Sequence, residues 1–273
     1  MTLNCNGTLV DLSKPKVLGV LNLTPDSFFD GGHYNQLDAA VAQCEKMLID
    51  GADFVDLGAY SSRPGADDVT QQEELDRLVP VLEALLKKFP EALFSIDTFR
   101  AKVAQEALEL GAHMINDISA GNLDNQMLNT VGRYPVPYIA MHMQGTPQNM
   151  QDQPQYLDPF AEISLFFSEK IQACYAAGID DVILDPGFGF GKKVKHNYQI
   201  LQRFEHLQQF NVPVLAGVSR KSMIYKVLET SPEEALNGTT VLHTIALMKN
   251  AQLLRAHDVK EAKECIRLLA QLH

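Results

Sequence analysis

Polar side chains recur at the ends of short apolar runs along this chain. Eight such runs lie near 17–23, 54–57, 93–96, 114–118, 138–141, 182–184, 214–218 and 252–255. The first ends in Asn22, and the second is followed by Ser61, Ser62 and Arg63. The third ends in Asp97, the fourth in Asn116 and Asp117, the fifth in Met141 and His142, and the sixth in Asp185. The seventh leads to Ser219, Arg220 and Lys221, and the eighth to Arg255 and His257. Two chemical characters are present. Asp97, Asn116 and Asp185 suit a heterocycle with several N–H donors, because a carboxylate accepts two parallel N–H bonds from an amino-pyrimidinone edge as it does from a guanidinium. Arg63, Arg255 and His257 are cationic groups suited to phosphate. The set describes a site with a heterocycle at one end and phosphate at the other, provided the fold gathers the run ends together.

Amphipathic stretches between the runs supply that fold. Leu37, Val41, Cys44 and Leu48 fall on one helical face, as do Leu75, Leu78, Leu82, Leu85 and Phe89, and then Phe99, Val103, Ala107 and Leu110. Strands alternating with helices imply parallel βαβ units. The segments IDGADFVDLG, ELGAHMINDI and AAGIDDVILD echo one another, less perfectly joined by MKNAQLLRAH. They place Gly51, Gly111 and Gly178 just past helix ends, where glycine takes a left-handed backbone cheaply. Such units in 273 residues predict an α/β chain folded as one TIM (β/α)8 barrel domain over residues 1–273, since that barrel takes roughly 250 residues. A doubly wound open sheet is the alternative. The barrel puts its active site at the C-terminal strand ends, where the polar groups fall. Asn6-Gly7 is a turn pair that predicts a short N-terminal hairpin over residues 1–15, capping the barrel bottom.

Composition removes several function classes. A net charge of -11 argues against nucleic-acid binding, which needs a basic footprint. No apolar run is long enough to span a bilayer. No leader pattern opens the chain, and Cys5, Cys44, Cys174 and Cys265 are scattered, so reduced thiols in a cytoplasm are expected. Gly187, Gly189 and Gly191 match neither a dinucleotide nor a P-loop fingerprint. The histidines show no zinc pattern. His113, His196 and His206 read as ordinary surface or helix residues, and His142 as packed and hydrogen-bonded.

The segments GVLNLTPDSFFDGG (19–32), SSRPGA (61–66), SIDT (95–98), NDISAG (116–121), MHMQGTPQNMQ (141–151), DPGFGFGKK (185–193), GVSRKSMI (217–224) and RAHDV (255–259) resemble, in order, the signatures of dihydropteroate synthases. The resemblance implies a transferase of folate biosynthesis. It condenses 6-hydroxymethyl-7,8-dihydropterin pyrophosphate with para-aminobenzoate to give 7,8-dihydropteroate and pyrophosphate. By that resemblance Asp97, Asn116, Met141, Asp185 and Lys221 hold the pterin. Asn22, Arg63, Arg255 and His257 hold the pyrophosphate, with Asn22 reaching a Mg²⁺ ion. Phe28, Ser62, Pro64, Phe190, Lys221 and Ser222 frame the para-aminobenzoate pocket, and Asp30 lies near the developing cation. Asp97, Arg63, Lys221 and Asp30 are then the catalytic set. Aryl sulfonamides are implied competitors, and a homodimer built through helices is the implied assembly. One segment departs from the family pattern: DLGAYSSRPG stands where D-I-G-G-E-S-T-R-P-G is usual, so Ala59 and Tyr60 replace glycine and glutamate, and Ser62 replaces threonine.

The chemistry fits these roles. Pterin electron density can flow into the exocyclic carbon as the C–O bond breaks, an SN1-like loss of pyrophosphate. Asp97 can stabilise the positive pterin, and Mg²⁺ with the arginines the negative leaving group. An aniline nitrogen is neutral near pH 7, so no strong base is needed. A lone neutral Asn22 suits a Mg²⁺ held mainly by phosphates and water. The stretches 24–33, with Asp26 and Asp30, and 61–69 follow strand ends and are expected to close over the site. A pterin-binding methyltransferase and a catalytically silent pterin-binding paralogue are the alternatives; the first has no use for Asn22, Arg63, Arg255 and His257 together, and the second would show damage to the cationic group or the first loop, and neither is damaged.

Overall fold

Asn6 and Gly7 both take positive φ, 52° and 92°, the geometry of a tight hairpin turn. They join β1 (Thr2–Cys5) to β2 (Thr8–Asp11) in antiparallel register. The computed structural model describes residues 1–23, 32–60 and 69–272, with the backbone alone for 32–36. After the hairpin come β3 (Lys16–Asn22), α1 (Gly32–Ile49), β4 (Phe54–Gly58), α2 (Gln71–Lys88), β5 (Phe94–Asp97), α3 (Ala101–Leu110), β6 (Met114–Asp117), α4 (Met127–Val131) and β7 (Tyr138–Met141). The chain continues through α5 (Pro159–Ala176), β8 (Val182–Asp185), α6 (Val194–Gln202), a 3-10 stretch (Phe204–Phe210), β9 (Leu215–Ala216), α7 (Ser222–Tyr225), α8 (Leu236–Met248), β10 (Leu253–Ala256) and α9 (Val259–Leu269).

The strands after the hairpin form an eight-stranded parallel sheet in the order β8-β7-β6-β5-β4-β3-β10-β9. A parallel bridge between Leu184 and Val214 joins its two ends, which closes the barrel. The helices cover the outside, burying aliphatic faces against the outward residues of the strands. The hairpin plugs the bottom: Leu3, Cys5 and Leu12 pack on Leu18, Phe54, Met114, Ile139, Ile183, Leu215 and Leu253, near the N-terminal ends of the barrel strands.

Local chemistry sets the element ends. Thr70 caps α2, its hydroxyl accepting from the Glu73 amide at 3.2 Å while the Glu73 carboxylate accepts from the Thr70 amide at 2.8 Å. Asp158 caps α5 ahead of Pro159. Gly111 closes α3 with φ of 113°, and Asn250 takes a left-handed φ of 63° in the imperfect fourth copy of that helix-end motif. One expectation changes: Phe99 lies outside α3, which begins at Ala101, and its ring instead meets Tyr60 edge-on at 5.0 Å.

Candidate active site at the barrel mouth

Side chains alternate along a strand, so each barrel strand that puts an apolar residue in the bottom layer puts the residue two positions on into a higher layer. In that layer the apolar plug gives way to charge. Phe54 is followed by Asp56, Met114 by Asn116, Ile183 by Asp185 and Leu253 by Arg255; Ile139 leads to Met141, 3% exposed. Leu215 is followed by Gly217, and a Cβ there would lie 3.6 Å from Asp185 Oδ2 and 3.7 Å from Lys221 Nζ. The absent side chain leaves room for both groups at the mouth.

Arg255 is the hub. Its Nε donates to Asp56 Oδ2 at 2.7 Å and its Nη2 to Asp97 Oδ2 at 2.6 Å. Asn116 Nδ2 donates to the same Asp56 oxygen at 3.0 Å. Asp56 is fully buried, and its Oδ1 has no partner among the described residues. Burial pushes the Asp97 carboxyl up to about 7, with Arg255 opposing and Asp56 adding to the rise. Arg255 is driven the other way: burial disfavours its charge, but Asp56 and Asp97 outweigh that and raise it.

On the facing side, Asp185 Oδ1 accepts from the Gly187 amide at 2.7 Å. Burial raises the Asp185 carboxyl while the nearby Lys221 lowers it. Burial brings the Lys221 ammonium down to about 8, opposed by Asp185. Lys221 Nζ donates to Phe188 O at 2.5 Å and sits 4.7 Å from the Phe190 ring centre. Ser222 opens α7 beside it. His257 places Nδ1 3.1 Å from Ser219 Oγ, and burial with Arg255 nearby takes its imidazole down to about 4. Asn22 pairs in register with Gly58, and a Cβ on Gly58 would stand 3.6 Å from both Asn22 Oδ1 and Asp97 Cβ.

Asn22, Asp97, Asn116, Met141, Asp185, Phe190, Lys221, Ser222, Arg255 and His257 are therefore gathered at or around one end of the barrel. Phe28 and Asp30, with Asp26, lie in 24–31, and Ser62, Arg63 and Pro64 lie in 61–68; both segments are outside the described residues. Just before the second segment, the Tyr60 hydroxyl accepts from Gln148 Nε2 at 3.1 Å, and the Arg100 guanidinium lies 5.3 Å from its ring. Tyr60 thus ties the β4 exit to the segments after β5 and β7.

Other polar groups named from the sequence are structural. Asp117 accepts from the Tyr138 hydroxyl, the Ser119 amide and hydroxyl, and the Gly121 amide, each at 2.7 Å. Arg220 forms a two-point ion pair with Asp258 at 2.8 Å. His142 packs edge-on against Phe166 at 4.9 Å, but its Nδ1 has no hydrogen-bond partner among the described residues. Cys5, Cys44, Cys174 and Cys265 are buried and unpaired. Sequence reasoning passed over Asp56. The available signal was its parity: a carboxylate inside the run FVDLG, two residues beyond Phe54 on the same strand face.

A closed parallel barrel with carboxylates, an amide and cations around its mouth defines a ligand-binding α/β-barrel enzyme. The sequence model of the family described as pterin binding enzyme matches residues 18–257, and the chain belongs to that family. The dihydropteroate synthase of Escherichia coli K12 is 45% identical over 271 residues, covering 98% of this chain and 95% of that protein. The Yersinia pestis dihydropteroate synthase, solved as a sulfonamide drug complex, superposes with a TM-score of 0.93 at 44% identity, covering 100% of this chain and 98% of that one. The Xanthomonas albilineans dihydropteroate synthase with 4-aminobenzoic acid gives a TM-score of 0.93 at 39% identity, covering 99% and 97%. The activity of the chain is that of a dihydropteroate synthase.

Proposed function

We propose that the barrel mouth binds the pterin through Asp97, Asn116, Asp185 and Lys221, with Met141 packing near the ring. Asn22, Arg63, Arg255 and His257 take the pyrophosphate, and Phe28, Ser62, Pro64, Phe190, Lys221 and Ser222 frame para-aminobenzoate. The observation that carries this reading is the Asp56–Arg255–Asp97 bridge with Asn116 on the same carboxylate. It sets hydrogen-bonding groups for a heterocycle directly against a cation for a leaving anion.

The roles follow from charge. As the C–O bond to pyrophosphate breaks, positive charge grows on the pterin and negative charge on the departing oxygens. Asp97 faces the first and Arg255 the second, both already oriented, so little reorganisation is needed. Arg255 commits Nε and Nη2 to carboxylates and retains Nη1 as a donor for the anion. His257 Nδ1 is engaged with the Ser219 hydroxyl, which leaves Nε2 as the ring nitrogen for a phosphate oxygen. The lone pair of the neutral arylamine then forms the new C–N bond, and its proton leaves to solvent.

Mg²⁺ fits this donor set. Among the described residues no cluster of three His, Cys, Asp or Glu side chains offers a protein-only site. Asn22, at the end of β3, supplies one neutral oxygen, as suits an ion held mostly by phosphate and water. When bound, it would neutralise charge on the leaving pyrophosphate. The exposed apolar side chains Val241 and Met248 on α8 and Leu268 on α9 support a homodimer through these helices. The four buried, unpaired cysteines suit a reducing cytoplasm.

Calorimetry with para-aminobenzoate tests the reading. Its binding is expected to strengthen when pyrophosphate and Mg²⁺ are both present, because a first ligand that completes one wall of the pocket lowers the cost of binding the second. Equal affinity in both conditions would mean the pocket is built in advance.

A further inference from the structure

Lys192 is a buried cation that the reaction above does not use. It is 3% exposed. Its Nζ donates to three backbone carbonyls: His142 O at 3.0 Å, Gly187 O at 2.9 Å and Phe190 O at 2.9 Å. An ammonium has three N–H donors and a neutral amine two. Three converging carbonyls therefore match the ammonium, since an amine would turn its lone pair on one of them. Burial pulls Lys192 well below the ordinary lysine range, and Asp185 opposes that pull. The carbonyls supply the solvation that burial removes.

The carbonyls belong to His142, just past β7, and to the two ends of a turn in the loop 186–191. That loop has no slack. Gly187 and Gly191 take φ of 65° and 60°, and a Cβ would lie 2.1 Å from His142 O at the first and 2.4 Å from Gln144 O at the second. From outside, Gln151 Nε2 donates to Gly189 O at 2.6 Å and the Tyr156 hydroxyl to Gly191 O at 2.9 Å. The loop faces the site with three groups. The Gly187 amide holds Asp185, the Phe188 carbonyl holds Lys221, and the Phe190 ring lies against the Lys221 ammonium.

We propose that Lys192 is a positioning residue for the arylamine substrate: its ammonium gathers three loop carbonyls and so fixes where Phe190 and Lys221 stand. The pterin groups Asp97 and Asn116 are held by a separate network through Asp56 and Arg255. Loss of the Lys192 ammonium therefore falls more heavily on para-aminobenzoate, which depends on Phe190 and Lys221, than on the pterin, which keeps Asp97 and Asn116 in place and is loosened only through Asp185 and Lys221. This inference rests on Phe190 and Lys221 framing the arylamine pocket.

The test is steady-state turnover of the full-length protein with Mg²⁺, varying pterin pyrophosphate and para-aminobenzoate separately, for the wild type and for Lys192→Met, Lys192→Gln and Phe190→Leu. Lys192→Met is expected to raise the para-aminobenzoate KM at least tenfold and the pterin pyrophosphate KM by several-fold less. Lys192→Gln keeps two donors for three carbonyls and falls between. An equal rise in both KM values, or no rise, overturns the proposal. If Phe190→Leu leaves the para-aminobenzoate KM unchanged, the pocket assignment fails; if it raises that KM and the Lys192 variants do not, only the role of Lys192 fails. Should neither Lys192 variant fold, lysine-selective NMR of the wild type decides: a protonated Lys192 with slowly exchanging N–H groups at pH 7.5 is expected, and a neutral amine contradicts the clamp.

Discussion

Arg255 Nη2 and Asp97 Oδ2 lie 2.6 Å apart, yet the same Asp97 carboxyl is pushed up to about 7. Burial and the neighbouring Asp56 charge outweigh the arginine. The wall that is to hold a ligand therefore carries a carboxylate whose ionisation is costly in the empty protein.

That cost has a pH signature. A carboxyl with a raised folded-state pKa destabilises the fold as it ionises, so the penalty is absent below its unfolded value near 4 and grows until about pH 7. Asp97→Asn removes the penalty. Relative to wild type, the variant should gain stability across pH 4–7, by up to about 1.4 kcal/mol per pH unit, and show no further gain above. Urea unfolding at pH 4, 5.5, 7 and 8 measures it. A flat difference would show that Asp97 ionises normally.

Asp56→Ala leaves Arg255 with Asp97 alone and strips Asn116 Nδ2 of its acceptor. Removing one partner of a buried ion pair costs roughly 3–5 kcal/mol, and chemical denaturation should show a loss of that order. Asp56→Asn keeps one acceptor oxygen and should lose less. A change under about 1 kcal/mol for the alanine variant would mean the bridge is dispensable.

Tyr60→Phe removes the hydroxyl that accepts from Gln148 but keeps the ring on Phe99. A single hydrogen bond contributes roughly 0.5–1.5 kcal/mol, and the melting transition should fall accordingly. Tyr60→Ala, which also deletes the ring contacts with Phe99 and Arg100, should cost clearly more. Equal transitions for the two variants would leave the ring without an anchoring role.

The barrel was legible because buried parallel strands are short apolar runs, and most observed strands start or stop within a residue of the expected ones. β9 is shorter, Leu215–Ala216, because its partner on one side is reduced to the Leu184–Val214 bridge. Phe99 misled because helical spacing continued backward past the start of α3. The polar mouth was visible from strand ends alone, but the pairing within it was not. Arg255 and Asp56 are 199 residues apart, and Asp56 inside an apolar run gives no hint of its partner. Lys192, next to Lys193, reads in one dimension as another exposed charge; only the carbonyls around it show otherwise.

Asp185 offers the most direct test, because it faces the site and holds its loop through the Gly187 amide. Asp185→Asn puts a donor where the pterin is to present its own, and losing a charge-assisted hydrogen bond costs roughly 1.5–3 kcal/mol. Purified wild type mixed with pterin pyrophosphate, para-aminobenzoate and Mg²⁺ should release one pyrophosphate per dihydropteroate formed. The folded Asp185→Asn protein should bind the bare pterin about ten to a hundred times more weakly in calorimetry and turn over correspondingly less. A folded variant with wild-type pterin affinity would contradict the assignment of the barrel mouth as the pterin site.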